Sequence, residues 1–333
     1  MAEEQQVREP EQPEEPQGPE APQEPKASVP EPVAKPVFKM GTLKCKGSPV
    51  LFKSILNCIG PLEDVEVVPF YFSETGLIVR TMNGSHNRML DAEITADDFD
   101  EYSCEGEVRL GLRMTRAKGG SNAPPGIDKY VARATESFGL EVVSGELNAI
   151  AESKTRKTTF LLHFNEAPSL SRMPKIVFDV KLKMDRVGIS EAIKDALLIS
   201  KNATFNAENN AITIKAVGDA GKSESRFGEG SMFPVDIAIG KPSISSYDIE
   251  VFDNMVAALG AEEVIFEFSH NMPCKLVSNV IEENDMVGTS KIAYYLAPRI
   301  ESDSELTSAK KRAKEAVKKA EDTEQKEQEA AEQ

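Results

Sequence analysis

The chain contains few of the residues that metal centres and disulfide scaffolds need. Four cysteines and three histidines occur, and none lies in a CxxC pair or at metal-ligand spacing: Cys45, Cys58, Cys104, Cys274, His86, His163 and His270. Zinc sites need convergent Cys or His ligands, and small disulfide scaffolds need closely spaced cysteines. The sequence therefore favours neither class, and it indicates a reducing compartment.

Long apolar runs are also missing. No stretch approaches the roughly 18 apolar residues of a membrane-spanning helix. The N-terminus is rich in Glu, Pro and Gln instead of being basic and then apolar, as a signal peptide would be. We therefore expect an intracellular soluble protein.

Negative charge is concentrated in the two ends of the chain. The net charge is −16; residues 1–35 hold nine Glu and three bases, and residues 302–333 hold nine acids and seven bases, which leaves −8 on residues 36–301. A nucleic-acid site needs only one face on which Lys and Arg are concentrated. The acidic total does not exclude DNA as a partner.

The length allows two domains or one domain with long tails. Residues 1–36 are dominated by Glu, Pro and Gln, which predicts a disordered tail. Residues 302–333 are rich in Ala, Glu and Lys and predict a charged tail, either disordered or a solvated helix. Its basic stretch 310–319 is interpreted as solvated, with an import signal or a DNA-touching arm as alternatives.

Short strands with turn signals between them dominate the middle of the chain. Helical periodicity appears in only four segments, 48–60, 126–137, 188–200 and 245–260. The order of these elements repeats, so we predict an α+β fold with two topologically equivalent domains, each with two helices packed on antiparallel sheets. Domain 1 spans 37–164, a connector spans 165–174, and domain 2 spans 175–301.

No catalytic constellation is apparent. The stretch AVGDAGKS, 216–223, places Gly-Lys-Ser after a strand as in a phosphate-binding loop, but Ala216 replaces the first glycine and no helical pattern follows. We interpret it as a strand and turn, and keep a nucleotide-binding enzyme as the alternative of another class. The chain is predicted to be a binding protein without a cofactor or metal ion, and not an enzyme.

Three of the four predicted helices direct cations away from their apolar faces. In 188–200 the apolar residues recur at helical spacing, so Lys194 and Lys201 share another face. Lys53 lies opposite the apolar stripe of the first helix, and Lys129 and Arg133 form an i,i+4 pair on the second. The fourth helix has acids and no Lys or Arg.

Several stretches resemble the ring-shaped DNA sliding clamps of archaea and eukaryotes, the proliferating cell nuclear antigen family. The stretch TMNGSHNRMLDAEITADDFDEYSC, 81–104, is similar to the family's Met-Asp-x-Ser-His segment, which runs through a strand to a Phe-x-x-Tyr-x-Cys end, and NMPCKLV is similar to its Met-Pro turn. The helix ISEAIKDALLIS resembles the first helix of the family's second domain, and YYLAPRIE resembles the family's C-terminus. The resemblance covers about residues 37–301.

The resemblance implies a closed trimeric ring whose helices line a channel around duplex DNA. Its cations would meet phosphates without reading bases. The DNA-facing candidates are Lys53, Lys129, Arg133, Lys194 and Lys201. The ring would close by head-to-tail pairing of an edge strand near 154–164 with one near 221–227 of the next chain. The interface candidates are Phe160, Gly221 and Phe227.

The resemblance also implies a pocket for short peptides of DNA polymerase, clamp loader, ligase and nuclease partners. The pocket candidates are Met82, His86, Met89, Met173, Pro174, Pro273, Tyr294, Tyr295, Leu296, Ala297, Pro298 and Ile300.

The resemblance leaves the assembly and the host open. Because the fourth helix is acidic, the alternative remains that this chain is one subunit of a heterotrimeric or checkpoint-type ring. The location would be cytoplasmic and nucleoid-associated in an archaeon, and nuclear in a eukaryote.

Overall fold

The computed structural model describes residues 41–115, 125–228, 235–281 and 287–299. The predicted tails 1–36 and 302–333, and most of the Gly/Pro-rich segment 116–126, lie outside the described residues.

Three of the four α-helices in the described part begin at a capping side chain. Ser48, Asp185 and Asp248 each accept a hydrogen bond from a backbone amide in the first turn of the following helix. Such caps satisfy amides that have no partner inside the helix. The helices are α1 (Pro49–Asn57), α2 (Ile127–Val131), α3 (Arg186–Leu197) and α4 (Ile249–Leu259).

Two helix boundaries differ from the prediction by more than three residues. Helix α2 ends at Val131, because the amides of Thr135 and Glu136 each donate to the Glu152 carbonyl at 3.0 Å and draw the chain into a strand. The start of the fourth segment was also predicted wrongly: Ser243–Asp248 is a strand, and α4 follows it.

The described residues contain eighteen strands. In chain order they are β1 (Thr42–Gly47), β2 (Val67–Ser73), β3 (Gly76–Met82), β4 (Arg88–Thr95), β5 (Glu101–Glu105), β6 (Val108–Arg113), β7 (Ser137–Val143), β8 (Glu146–Ser153), β9 (Arg156–Leu162), β10 (Val180–Asp185), β11 (Asn202–Glu208), β12 (Ala211–Gly218), β13 (Gly221–Phe227), β14 (Val235–Ile239), β15 (Ser243–Asp248), β16 (Glu263–Phe268), β17 (Cys274–Ile281) and β18 (Val287–Leu296).

The two halves repeat one element order. Each described half runs strand, helix, five strands, helix, three strands, from β1 to β9 and again from β10 to β18. The prediction of an α+β fold built from two equivalent units is confirmed.

The sequence did not predict β1, β5, β8 or β11. In β8 the buried face consists of Leu147, Ala149 and Ala151, and in β11 two of the three buried residues are also alanines. Alanine has little preference for strands, so the alternation carried a weak signal.

Three antiparallel sheets hold the strands. Their orders are β5-β1-β7-β8-β9, then β14-β10-β16-β17-β18-β4-β3-β2-β6, then β13-β12-β11-β15. The nine-stranded sheet crosses from one half to the other where β18 pairs with β4, with Tyr294 opposite Leu90 and Tyr295 opposite Met89. The apolar C-terminal strand therefore lies inside a sheet and joins the two halves.

Alternating side chains of β18 point to opposite faces of the nine-stranded sheet. Ile292, Tyr294 and Leu296 lie in the main core, which the helices cover. Ala293 and Tyr295 point to the opposite face, which we call the outer face of the nine-stranded sheet. The Tyr294 hydroxyl donates to the Cys58 carbonyl just after α1, which attaches the C-terminal strand to the helical layer.

Aromatic rings fill the core of the second half. The Phe205 ring lies 5.2 to 6.4 Å from the ring centroids of Tyr247, Phe252, Phe266 and Phe268. These rings belong to β15, α4 and β16, so one side chain of β11 packs sheet and helix together.

We expect Tyr294→Phe to lower the free energy of unfolding by about 1 to 2 kcal/mol, because it leaves the buried Cys58 carbonyl without its donor. Urea denaturation at unchanged m-value measures the loss. Tyr295→Phe is the matched control on the same strand, since the Tyr295 hydroxyl has no hydrogen bond with any described residue. Equal midpoints for the two variants would contradict the expectation.

Candidate functional site

The helices form one row across both halves of the protein. Helix α1 contacts α2 on one side and α4 on the other, and α4 contacts α3. The apolar faces of these helices are buried against the sheets, as Ile189, Ala192 and Ile193 of α3 show. The opposite side of the row is open. We call it the helical face.

All five DNA-facing candidates are exposed, but they differ in their ion pairs. Lys201 Nζ lies 3.2 Å from a Glu250 carboxylate oxygen, and Lys129 Nζ lies 3.7 Å from Asp128. Among the described residues, no acidic side chain pairs with the remaining three cations, which are Lys53, Arg133 and Lys194. The helical face therefore holds three unpaired cations spread over α1, α3 and the turn after α2.

Helix α4 keeps the acidic character that its sequence indicated. Glu250 pairs with Lys201, and the Asp253 carboxylate accepts a hydrogen bond from the Ser190 hydroxyl at 3.1 Å. The N-capping Asp248 also pairs with Arg299 at 3.1 Å. These acids are partly satisfied within the chain, which reduces their repulsion of a polyanion on the helical face.

A separate apolar cluster lies on the outer face of the nine-stranded sheet. Met89, Ala293 and Tyr295 form its buried centre. Met82, Phe178 and Val277 pack around that centre and are partly buried. Burial raises the pKa of Tyr295 to about 12, and nearby Asp91 and Glu267 add to the shift, so its hydroxyl stays neutral.

The structure places five of the peptide-pocket candidates on two opposite faces of the nine-stranded sheet. Met82, Met89 and Tyr295 meet in the outer cluster, whereas Tyr294 and Leu296 lie in the main core on the other side of the sheet. The reason is the period of two along β18, which sends neighbouring residues to opposite faces. Tyr294 and Leu296 therefore cannot line a pocket on the outer face.

The loop that carries His86 is held beside the C-terminal segment. The Asn83 side-chain oxygen accepts from the amides of Asn87 and Arg88 at 3.0 and 2.9 Å, and the Ala297 amide donates to the Asn87 carbonyl at 2.9 Å. His86 itself is exposed and has a φ of 57°. This network places the loop next to Ala297.

The remaining pocket candidates lie at or near the surface. Met173 is exposed, and four others are partly buried: Pro174, Pro273, Ala297 and Pro298. Ile300 lies outside the described residues. The sequence interpretation missed Phe178 and Val277. Val277 pairs with Ala293, so alternation along β17 and β18 could have placed it on the outer face. Phe178 precedes β10, where the sequence has no strand periodicity to indicate its position.

The connector is fixed to the first half of the protein. The Tyr71 hydroxyl donates to the Pro168 carbonyl at 2.5 Å, and the Arg109 guanidinium lies 5.5 Å from the Tyr71 ring centre. Asn165 exchanges two backbone hydrogen bonds with Gly111 at 3.0 Å. A groove lined by Tyr71, Ile78 and Leu170 follows this contact.

Strands β9 and β13 are edge strands of their sheets, as the resemblance implied. Phe160 of β9 turns inward, where its ring lies 5.0 Å from that of Tyr130, and Phe227 of β13 is buried in the core. Gly221 is exposed with a φ of 136°. Leu161, on the outer side of β9, is 61% exposed. At these two edges, backbone groups and the Leu161 side chain are therefore accessible to a neighbouring copy, whereas Phe160 and Phe227 are turned inward.

The Gly-Lys-Ser stretch is a β-hairpin. Strand β12 ends at Gly218, and β13 begins at Gly221 and pairs back onto it, with Gly218 opposite Gly221. A phosphate-binding loop leads into a helix whose N-terminus faces the phosphates. Because a strand follows here, the stretch does not form the phosphate-binding loop that the nucleotide-binding alternative requires.

The described residues offer no reactive thiol or metal-binding group. All four cysteines are free and buried. Burial raises the pKa of the Cys45 and Cys58 thiols to about 12, so both are protonated at neutral pH. In the same part of the chain no three His, Cys, Asp or Glu side chains converge on a possible metal position. The helices described are each too short or too polar to cross a membrane.

Comparisons with known proteins agree with this architecture. The family model for the N-terminal domain of proliferating cell nuclear antigen matches residues 43–118. The DNA polymerase sliding clamp of Thermococcus sibiricus is 27% identical over 239 residues, which is 71% of this chain and 90% of that protein. The DNA polymerase sliding clamp of Thermofilum pendens is 29% identical over 245 residues, 71% of this chain and 91% of that protein.

A solved structure shares the fold. The crystal structure of proliferating cellular nuclear antigen from Entamoeba histolytica superposes with a TM-score of 0.64 at 18% identity and covers 78% of this chain and 100% of that one. This likeness shows the clamp fold, and the matched first domain together with relatives that align over both halves supports the proliferating cell nuclear antigen family of sliding clamps.

Proposed function

We propose that this protein is a DNA sliding clamp that encircles duplex DNA and holds DNA polymerase on it. The observation that carries the proposal is the continuous helical face, which extends across both halves and exposes Lys53, Arg133 and Lys194 without ion pairs among the described residues. Scattered cations on a rigid layer suit phosphate contacts that carry no sequence information.

The ring forms from three copies joined head to tail. Strand β9 of one copy pairs with β13 of the next, since each is an edge of its own sheet, one in each half of the described fold. Different surfaces meeting head to tail close into a ring when the rotation allows it. Backbone hydrogen bonds supply the adhesion, with Leu161 as an exposed apolar contact.

The outer apolar cluster receives partner peptides. Met82, Met89, Phe178 and Tyr295 give it the flexible and aromatic walls that accept different apolar anchors. The partners are DNA polymerase, a clamp loader, and ligases and nucleases of replication and repair. The clamp itself performs no catalysis and needs no cofactor; it acts in the cytoplasm at the nucleoid of an archaeon, or in a eukaryotic nucleus.

We expect the purified chain to have a mass near three times 36.4 kDa in solution. Light scattering at low micromolar concentration and moderate salt measures it. A stable monomer or dimer would contradict a self-closing ring and favour the heterotrimeric alternative, which the acidic α4 suggests.

We expect Leu161→Lys to shift this trimer toward monomers, because it places a charge on the edge strand that the neighbouring copy would cover. Val143→Lys is the control, since Val143 is 56% exposed on the same sheet but belongs to β7, away from the edge. The proposed junction would be wrong if both variants kept the mass of the unaltered chain.

We expect replacement of Lys53, Arg133 and Lys194 by Ala to weaken retention on DNA and flatten its salt dependence, by about one unit of log–log slope for each phosphate that is no longer neutralised. The control replaces Lys44, Lys183 and Lys215, which lie on strands and are paired with acids. Retention on circular DNA after loading, measured from low to moderate salt, decides the matter. Equal slopes for the two triple variants would mean that the three helical-face cations are ordinary solvated side chains and do not contact phosphates.

A further inference from the structure

The outer cluster continues into a charged zone along the same face. Strand pairing aligns Met82, Met89, Tyr295, Lys275, Glu267 and Lys181 in one row across the nine-stranded sheet. Neighbours in such a row are about 5 Å apart. The Lys275 ammonium lies 5.8 Å from the Tyr295 ring centre, so the charged zone begins at the edge of the apolar cluster.

Most acids of this zone have partners; the exposed Asp236 on β14, opposite Lys183, forms no ion pair with a described residue. The Asp91 and Glu93 carboxylates lie 2.8 and 3.2 Å from the Arg80 guanidinium. Glu267 lies 3.8 Å from Lys275, and Asp179 lies 3.9 Å from Lys241. Negative charge on this part of the outer face is therefore largely compensated.

Several cations of the same zone form no ion pair, although Lys181 lies opposite Glu267 and Lys291 lies opposite Glu93 in the strand register. Lys175, Lys181 and Lys291 are exposed, and none has an ion pair with a described residue. Lys175 and Lys181 each lie three residues from Phe178, so their backbones are within about 10 Å of the cluster. Lys291 precedes the cluster residue Ala293 by two positions on β18 and shares its face.

We propose that the outer face selects partner peptides whose apolar anchor is flanked by acidic residues. This inference rests on the proposed function and specifies its ligands. The anchor occupies the cluster around Tyr295, and the flanking carboxylates meet Lys175, Lys181 and Lys291. Charge complementarity at an exposed rim acts mainly on association rate and on the choice between partners.

The test uses two fluorescent peptides with the same aromatic anchor and either acidic or basic flanks, titrated into the full chain by anisotropy. We expect the acid-flanked peptide to bind about tenfold more tightly at low salt, since each exposed pair contributes little and three act together. The preference should shrink at high salt, because exposed pairs are screened.

Matched variants distinguish the effect of the lysines around the cluster from the effect of the protein's overall charge. Lys175→Glu with Lys181→Glu should abolish or reverse the preference, whereas Lys44→Glu with Lys215→Glu, which makes the same change of charge on other sheets, should leave it intact. Tyr295→Ala should weaken both peptides alike. Equal binding of both peptides, or the same response to both double variants, would overturn the proposal.

The chain's own acidic segment is the competing occupant. Residues 1–35 hold nine Glu. A full-length variant in which these nine glutamates are changed to Gln is therefore measured in parallel. If this variant bound the acid-flanked peptide much more tightly than the unaltered chain, the N-terminal segment would be the occupant of the outer face. That result would overturn the proposal that the face selects partner peptides. Retention on circular DNA is recorded for every variant, so loss of the peptide preference remains distinguishable from failure of the clamp function.

Discussion

The pairing of β18 with β4 is the constraint on which the rest of the structure depends. It brings the last described strand of the chain into the middle of a nine-stranded sheet and makes the two halves one body. Because strands alternate, the same pairing sends Tyr294 to the helices and Tyr295 to the outer face. A shift of one residue would exchange these two environments, so burial of the Tyr294 side fixes the register and thereby builds the outer cluster.

The two working faces are consequently linked through one sheet. On one side α1 and α4 meet across the junction of the halves, and the Cys58 thiol donates to the Ala258 carbonyl at 3.3 Å between them. On the other side, the strands that support α1 and α4 carry the apolar cluster. Because the helical face and the apolar cluster lie on opposite sides of this sheet, a polyanion and a peptide bound as proposed would not compete for space.

The sequence predicted the element repeat and the exposed cations because these depend on periodicity, which local residues determine. It predicted that Lys53, Lys194 and Arg133 point away from the apolar faces, and all three side chains are exposed. It could not predict that Lys201 pairs with Glu250, since these residues are distant in the chain and meet only after β11 pairs with β15. Resemblance grouped Tyr294 with Tyr295, but alternation in β18 separates them; Phe178 reaches the cluster through tertiary packing that no local pattern encodes.

The ion pairs on the helical face also bear on how a clamp can be both secure and mobile. Each phosphate contact strengthens binding and steepens its salt dependence, and every contact must break when the protein moves along the duplex. Lys201 and Lys129 are partly neutralised by Glu250 and Asp128, and α4 adds no cation, so the face is weaker than its five candidates indicate. In a closed ring, enclosure of the duplex prevents escape. Sparse and partly compensated charge is then an advantage, because weak contacts exchange between phosphates quickly while the ring keeps the protein on DNA.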